Sequence, residues 1–237
     1  MNIALIIAGG SGNRMHQDIP KQFLHVNDTP VLIYTLQAFQ KHPEIDAIAV
    51  ICLEGWETVL NAYARQFGIT KLQYVVPGGL NGQDSIRNGV FELEKHCQPD
   101  DLVLVHDGIR PMVSQEIISE CIATARRHGC AITAIPCAEA MLITKDRASS
   151  GATFPRDELM RTQTPQAIAL GRLAALHRLA LEKGITNSVS TCTMMTELGE
   201  TVYFVPGSEK NIKLTTVDDL EIFKALLQSQ RPEWLKS

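Results

Sequence analysis

Short apolar runs recur along the chain at residues 3–8, 47–52, 72–76, 102–105 and 131–135, and the segments between them carry apolar residues at helical spacing. Leu32, Leu36 and Phe39 fall on one helix face, as do Ile117, Cys121 and Ala125. Strand and helix alternating in this way predict an α/β fold, a mostly parallel sheet with helices on both faces. In such sheets the ligand site lies beyond the carboxyl ends of the strands. Two segments leave predicted strands directly, Ala8-Gly9-Gly10-Ser11-Gly12-Asn13-Arg14-Met15 and His106-Asp107-Gly108-Ile109-Arg110-Pro111, so both belong at that edge.

The rhythm breaks after Pro136. Residues 137–160 mix short apolar patches, such as 141–143, with polar turn residues, a pattern that predicts a projecting hairpin arm. Alternation then resumes, with Leu173, Leu176 and Ala180 on one helix face, a helix over 192–198, a strand at 202–205, and a strand, cap and helix over 211–227. Thr216 and Asp219 have the spacing of a helix-capping pair. No internal repeat or low-complexity segment interrupts the series, which predicts one domain over 1–237 with an arm at about 137–160.

With 237 residues, 45% hydrophobic and 20% charged, the chain can bury a sizeable core. A net charge of −4 without a Lys/Arg tract argues against a nucleic-acid polymer as partner. The six cysteines form no CxxC pair and several sit in apolar runs, as expected of reduced core thiols. There is no basic leader, and no apolar run approaches the ~20 residues that span a bilayer. The expected location is the cytoplasm, without membrane association.

The glycine loop does not end in Gly-Lys-Ser/Thr as a Walker loop does, and Met15 stands where a dinucleotide fingerprint needs a small residue. It is either a tight strand-to-helix turn or an anion cradle, in which backbone N–H groups approach phosphate closely. Arg14 and Lys21 are correspondingly either solvated loop charges or phosphate ligands. Asp107 ends an apolar strand, where it either caps a turn with Arg110 paired to it or holds Mg²⁺ or a substrate hydroxyl. His106, alone at a strand end, reads as structural, Asp84 as a helix N-cap, and Lys213 as an edge-strand lysine unless it has company.

Four motifs in order, "AGGSGNRM…PKQFL", "HDGIRP", "RTQTPQA" and "EKNIKLTT…DL", resemble those of the cytidylyltransferases that act on 2-C-methyl-D-erythritol 4-phosphate or ribitol 5-phosphate. The resemblance covers nearly the whole chain. It implies a Rossmann-like nucleotidyltransferase fold and a reaction in which CTP and a polyol phosphate give a CDP-polyol and pyrophosphate, with Mg²⁺. It further implies catalytic roles for Arg14, Lys21 and Lys213, and nucleotide binding by Ala8, Gly9, Gly10, Gly12, Asp84 and Ser85. Substrate binding falls to Asp107, Arg110, Arg156 and Thr164, with Asp107 also at the metal. The arm is implied to exchange across a homodimer and donate Arg156 to the partner's site.

The chemistry suits these residues. A phosphate monoester is already anionic at neutral pH, so its attack on an α-phosphorus needs alignment and charge neutralisation rather than a strong base. The chain departs from the family pattern at Gly82, where an arginine is usual and Arg87 is a substitute, at Glu139-Ala140 for an Asp-Thr pair, and at Val189-Ser190 for Thr-Asp. The Ala-Gly-Gly loop and "NIKLTT" lean towards the ribitol-phosphate enzymes. The alternatives are the methylerythritol-phosphate enzyme of isoprenoid biosynthesis, a sugar-1-phosphate nucleotidyltransferase, and a catalytically idle nucleotide-binding paralogue.

Overall fold

The computed structural model describes residues 1–10 and 19–229. Its elements in chain order are β1 (Asn2–Ala8), β2 (His25–Val26), β3 (Thr29–Pro30), α1 (Val31–Lys41), β4 (Ala47–Cys52), α2 (Glu57–Gln66), β5 (Leu72–Pro77), α3 (Gly82–Leu93) and β6 (Leu102–Asp107). There follow α4 (Gln115–His128), β7 (Cys130–Pro136), β8 (Met141–Ile143), β9 (Ala152–Phe154), β10 (Met160–Ala169), α5 (Leu170–Glu182), α6 (Thr191–Glu197), β11 (Phe204–Pro206) and α7 (Val217–Ser229).

Seven strands form one sheet in the order β11-β7-β10-β6-β1-β4-β5. All neighbours pair in parallel except β10, which runs antiparallel to both β6 and β7. The period of two along each strand divides the core by face. Ala4, Ile6, Ile48 and Val50 meet α1, α2 and α4 through Leu36, Phe39, Leu60 and Ile118. Ile3, Leu5, Ala49 and Ile51 meet α3, α5 and α6 through Val90, Leu93, Leu173 and Met194. Because β1, β4 and β6 are covered on both sides, their sequences are continuous apolar runs. A smaller cluster of Val26, Val31, Ile109, Leu214 and Phe223 docks α7 beside the site edge.

The arm is a two-stranded hairpin, with Met141 opposite Phe154 and Ile143 opposite Ala152. All six cysteines are buried and free. Among the described residues no helix is long and apolar enough to cross a membrane.

The sequence pattern misplaces three features. The strand expected at 202–205 forms later, as β11. No strand forms around Lys213; residues 211–214 are held by tertiary bonds instead, Leu214 N–H donating to the Ile109 carbonyl at 2.9 Å. The long strand β10 goes unrecognised, since Thr162 to Gln166 is polar, contains Pro165, and shifts register against β7.

Candidate active site

At the carboxyl edge of the sheet lies an open cleft of about 420 Å³, lined by Ala8, Gly10, Lys21, Gln22, Gly82, Asp107, Arg110, Thr164, Lys213 and the segment 188–191, over an apolar floor that includes Ile86, Val105 and Ile109. The ends of β1 and β6, the first turn of α3 and the segment before α7 thus converge on one site.

On the β1 side, Lys21 opens a single 3-10 turn, Lys21–Phe23, anchored by Phe23 stacking on Trp56 at 4.6 Å between ring centroids. The next residue, Gln22, is buried and donates to the carbonyls of Ala8 at 2.7 Å and Gly10 at 3.0 Å. One side-chain amide therefore fixes the start of the glycine loop to the turn bearing Lys21. Gly9 packs away from the cleft lining, where a Cβ would lie 3.2 Å from the Gly78 Cα, so two backbones approach closely and a side chain would press them apart. Gly12 and Arg14 lie outside the described residues.

On the β6 side, Asp107 accepts from Arg110 Nε at 3.0 Å through one oxygen and from Lys213 Nζ at 2.9 Å through the other. Burial would raise the Asp107 pKa, but the opposing charges of Lys213 and Arg110 outweigh it and hold the carboxyl below its usual range. Arg110 also donates to the Asn211 carbonyl at 2.7 Å, and the buried Asn211 amide donates to the Thr164 carbonyl at 2.9 Å. These bonds position Lys213 without any strand pairing.

His106 is fully buried, and burial pushes its pKa down to about 4, so the ring is neutral. Its Nε2 faces the Arg110 carbonyl at 3.2 Å and must donate, which leaves Nδ1 to accept from the Thr164 hydroxyl at 3.0 Å. The Thr164 oxygen in turn accepts from the Asp107 N–H at 3.0 Å. His106 is thus structural, as its lone position at a strand end suggested. It fixes Thr164 behind Asp107, and the only Thr164 hydroxyl proton is committed to the ring.

Besides Gly9, three sequence-predicted residues fall outside the cleft lining. Asp84 does not cap α3; Asn81 does, its Oδ1 accepting from Asp84 N–H at 2.9 Å, because the helix starts earlier in the chain than an Asp84 cap requires. The Asp84 carboxylate pairs with Arg87 at 2.8 Å, which also occupies the guanidinium suggested as a substitute for the missing arginine at Gly82. The Ser85 hydroxyl accepts from Gly79 N–H at 3.0 Å and donates to the Asn81 carbonyl at 2.8 Å, so it shapes the loop before α3. A Cβ on Gly79 would come within 2.5 Å of the Asp84 Cβ, which is why that loop needs glycine. Arg156 stands in the arm, exposed, bonded to the Ala138 carbonyl at 3.3 Å and facing Asp157 at 3.7 Å. Beyond the predicted set, the structure brings Gln22, Gln166 and Thr191 to the cleft.

Lys21, Arg110 and Lys213 thus line one cleft with Asp107 at the strand ends of this sheet, and comparison with known proteins identifies its lineage. The family model of 2-C-methyl-D-erythritol 4-phosphate cytidylyltransferase matches residues 2–229. The chain belongs to that family. It is a nucleotidyltransferase of the cytidylyl-transferring kind. Among curated relatives, a ribitol-5-phosphate cytidylyltransferase of Lacticaseibacillus paracasei is 43% identical over 97% of this chain and 99% of its own. A 2-C-methyl-D-erythritol 4-phosphate cytidylyltransferase of Clostridium botulinum is 34% identical over 96% and 97%. Among solved structures, the 4-diphosphocytidyl-2C-methyl-D-erythritol synthase of Anaerococcus prevotii superposes with a TM-score of 0.81 at 26% identity, covering 96% of each chain.

Proposed function

We propose that the protein transfers the cytidylyl group of CTP to ribitol 5-phosphate, giving CDP-ribitol and pyrophosphate. The observation that carries the chemistry is the convergence of Lys21, Arg110 and Lys213 on the cleft that Asp107 and the glycine loop share. A phosphate oxygen of the polyol forms the new bond to the α-phosphorus as the bond to the β-phosphate's bridging oxygen breaks, and pyrophosphate leaves with the electron pair. Neither step requires proton removal, so these cations act by aligning two anions and neutralising charge that builds between them. The neutral His106 serves the same end by holding Thr164 and the backbone of Asp107.

The polyol assignment is supported by relatives named for ribitol 5-phosphate at 43%, 39% and 35% identity, against 34% for one named for 2-C-methyl-D-erythritol 4-phosphate. Mg²⁺ fits a site with one carboxylate, since the ion commonly binds one or two carboxylates together with substrate phosphates; among the described residues no cluster of three His, Cys, Asp or Glu forms a self-sufficient metal site. Asp107 would hold it, and the ion would supply further neutralisation of the triphosphate. We also infer a homodimer paired through the β8–β9 arms and a cytoplasmic location, where CTP is available.

The test is pyrophosphate release with CTP, UTP, ATP and GTP against ribitol 5-phosphate and 2-C-methyl-D-erythritol 4-phosphate. Turnover is expected with CTP, weakly with UTP, and best with ribitol 5-phosphate. Equal turnover with a purine triphosphate overturns the donor, and preference for the methylerythritol compound overturns the acceptor.

A further inference from the structure

The segment between α5 and α6 carries Ser188 to Thr191 into the cleft, yet it has little structure of its own. Among the described residues no backbone hydrogen bond holds 186–189. Three side-chain bonds from the start of α3 do so instead. Asn81 Nδ2 donates to the Thr186 carbonyl at 3.1 Å, Gln83 Nε2 donates to the Ile185 carbonyl at 2.7 Å, and Gln83 Oε1 accepts from Ser188 N–H at 2.7 Å. Gln83 is 4% exposed and does not line the cleft, while its neighbour Gly82 does. The Ser188 hydroxyl is held separately, donating to Glu197. Val189, next along, lines the cleft although 90% exposed, so its position follows the backbone rather than packing of its side chain.

We propose that Gln83 is a positioning residue that clamps the 185–188 backbone to α3 and thereby sets the Ser188–Thr191 wall of the cleft against the acceptor. The inference rests on the proposed reaction for which substrate that wall meets, and on the structure for the clamp itself. An amide suits the task because it presents N–H donors and a carbonyl acceptor in a single plane, matching a carbonyl and an N–H three residues apart. Loss of the clamp leaves two buried backbone groups to find water, and the segment moves outward to do so.

Two variants test this. Gln83→Met keeps length and removes both bonds, whereas Gln83→Glu keeps the acceptor for Ser188 and loses the donor to Ile185. Gln83→Met is expected to raise KM for ribitol 5-phosphate about tenfold, the size of one lost buried hydrogen bond, with KM for CTP within about twofold. Gln83→Glu, which sets a carboxylate oxygen against the Ile185 carbonyl, should move in the same direction, and because it keeps the acceptor for Ser188, hydrogen exchange at the Ser188 amide should accelerate most in Gln83→Met. Equal rises in both KM values in the two variants would mean a general loss of fold and overturn the assignment. Wild-type protein inactive on every polyol phosphate overturns the reaction alone; the clamp is then judged by exchange, and unchanged protection at Ser188 in folded Gln83→Met overturns it.

Discussion

Asp107 meets two cations at once, and that arrangement decides what each residue can do. With Lys213 on one carboxylate oxygen and Arg110 on the other, the cleft carries these two cations partly neutralised and already aimed. Arg110 is further tied to Asn211, whereas Lys213 is 43% exposed and has only a flexible stem to redirect. Lys213 is therefore the group that can turn from Asp107 towards a phosphoryl oxygen as charge builds there. Lys213→Ala and Lys21→Ala are expected to lower kcat about 100-fold, corresponding to ~3 kcal/mol of transition-state stabilisation, while changing the Kd for CTP only a few-fold. Steady-state kinetics beside equilibrium titration of CTP would check this. A loss confined to KM would restrict both lysines to holding the ground state.

At the scale of elements, the packing of α5 on α3 buries His177, whose two ring nitrogens have no hydrogen-bond partner among the described residues. Burial pushes its pKa down to about 4, with Arg87 adding to the effect and Asp84 opposing it. A folded pKa below the unfolded value of 6.5 means that the unfolded chain takes up the proton first. Stability is thus full above pH 6.5 and falls as pH drops towards 4, and His106 on β6 contributes in the same window. Replacing His177 with leucine removes no hydrogen bond, so the variant should gain roughly 2 kcal/mol over wild type at pH 5 relative to pH 7.5. Urea midpoints across that range would read the change; parallel pH profiles would assign the loss of stability elsewhere. Such a pairing is invisible in sequence, where His177 is one polar residue on a helix. By contrast β1, β4 and β6 are legible as continuous apolar runs, since both of their faces are covered. β10 is not, because its buried polar residues are satisfied by distant partners, Gln163 by Ser208 and Asn211, and Gln166 by Cys192. The same holds within the site. Lys21, Asp107, Arg110 and Lys213 stand out in motifs, but Gln22 and Gln83 act through backbone carbonyls and N–H groups that any sequence would supply.

The whole molecule leaves one part unsupported. Met141, Leu142, Ile143 and Phe154 on the arm are 43%, 67%, 51% and 40% exposed, in a hairpin of two three-residue strands. A lone two-stranded hairpin is marginal in water, and so much apolar surface on one projection calls for a partner. A second copy supplies an identical arm, and a two-fold pairing lets each cover the other. Arg156 follows β9 and is absent from the lining of its own cleft, and we propose that the pairing carries it towards the neighbouring one. If the proposed exchange holds, Arg156→Ala and Lys21→Ala homodimers should each be nearly inactive, since every site lacks one cation. A mixed dimer differs: the cleft of the Arg156→Ala subunit has its own Lys21 and receives Arg156 from the other chain, while the second cleft carries both lesions. Equal mixing with full subunit exchange should then restore about a quarter of wild-type turnover, because half of the dimers are mixed and each has one intact site. Native mass spectrometry would verify the exchange. Activity no greater than the mean of the two parents in a verified mixed population would return Arg156 to its own subunit or remove it from the reaction.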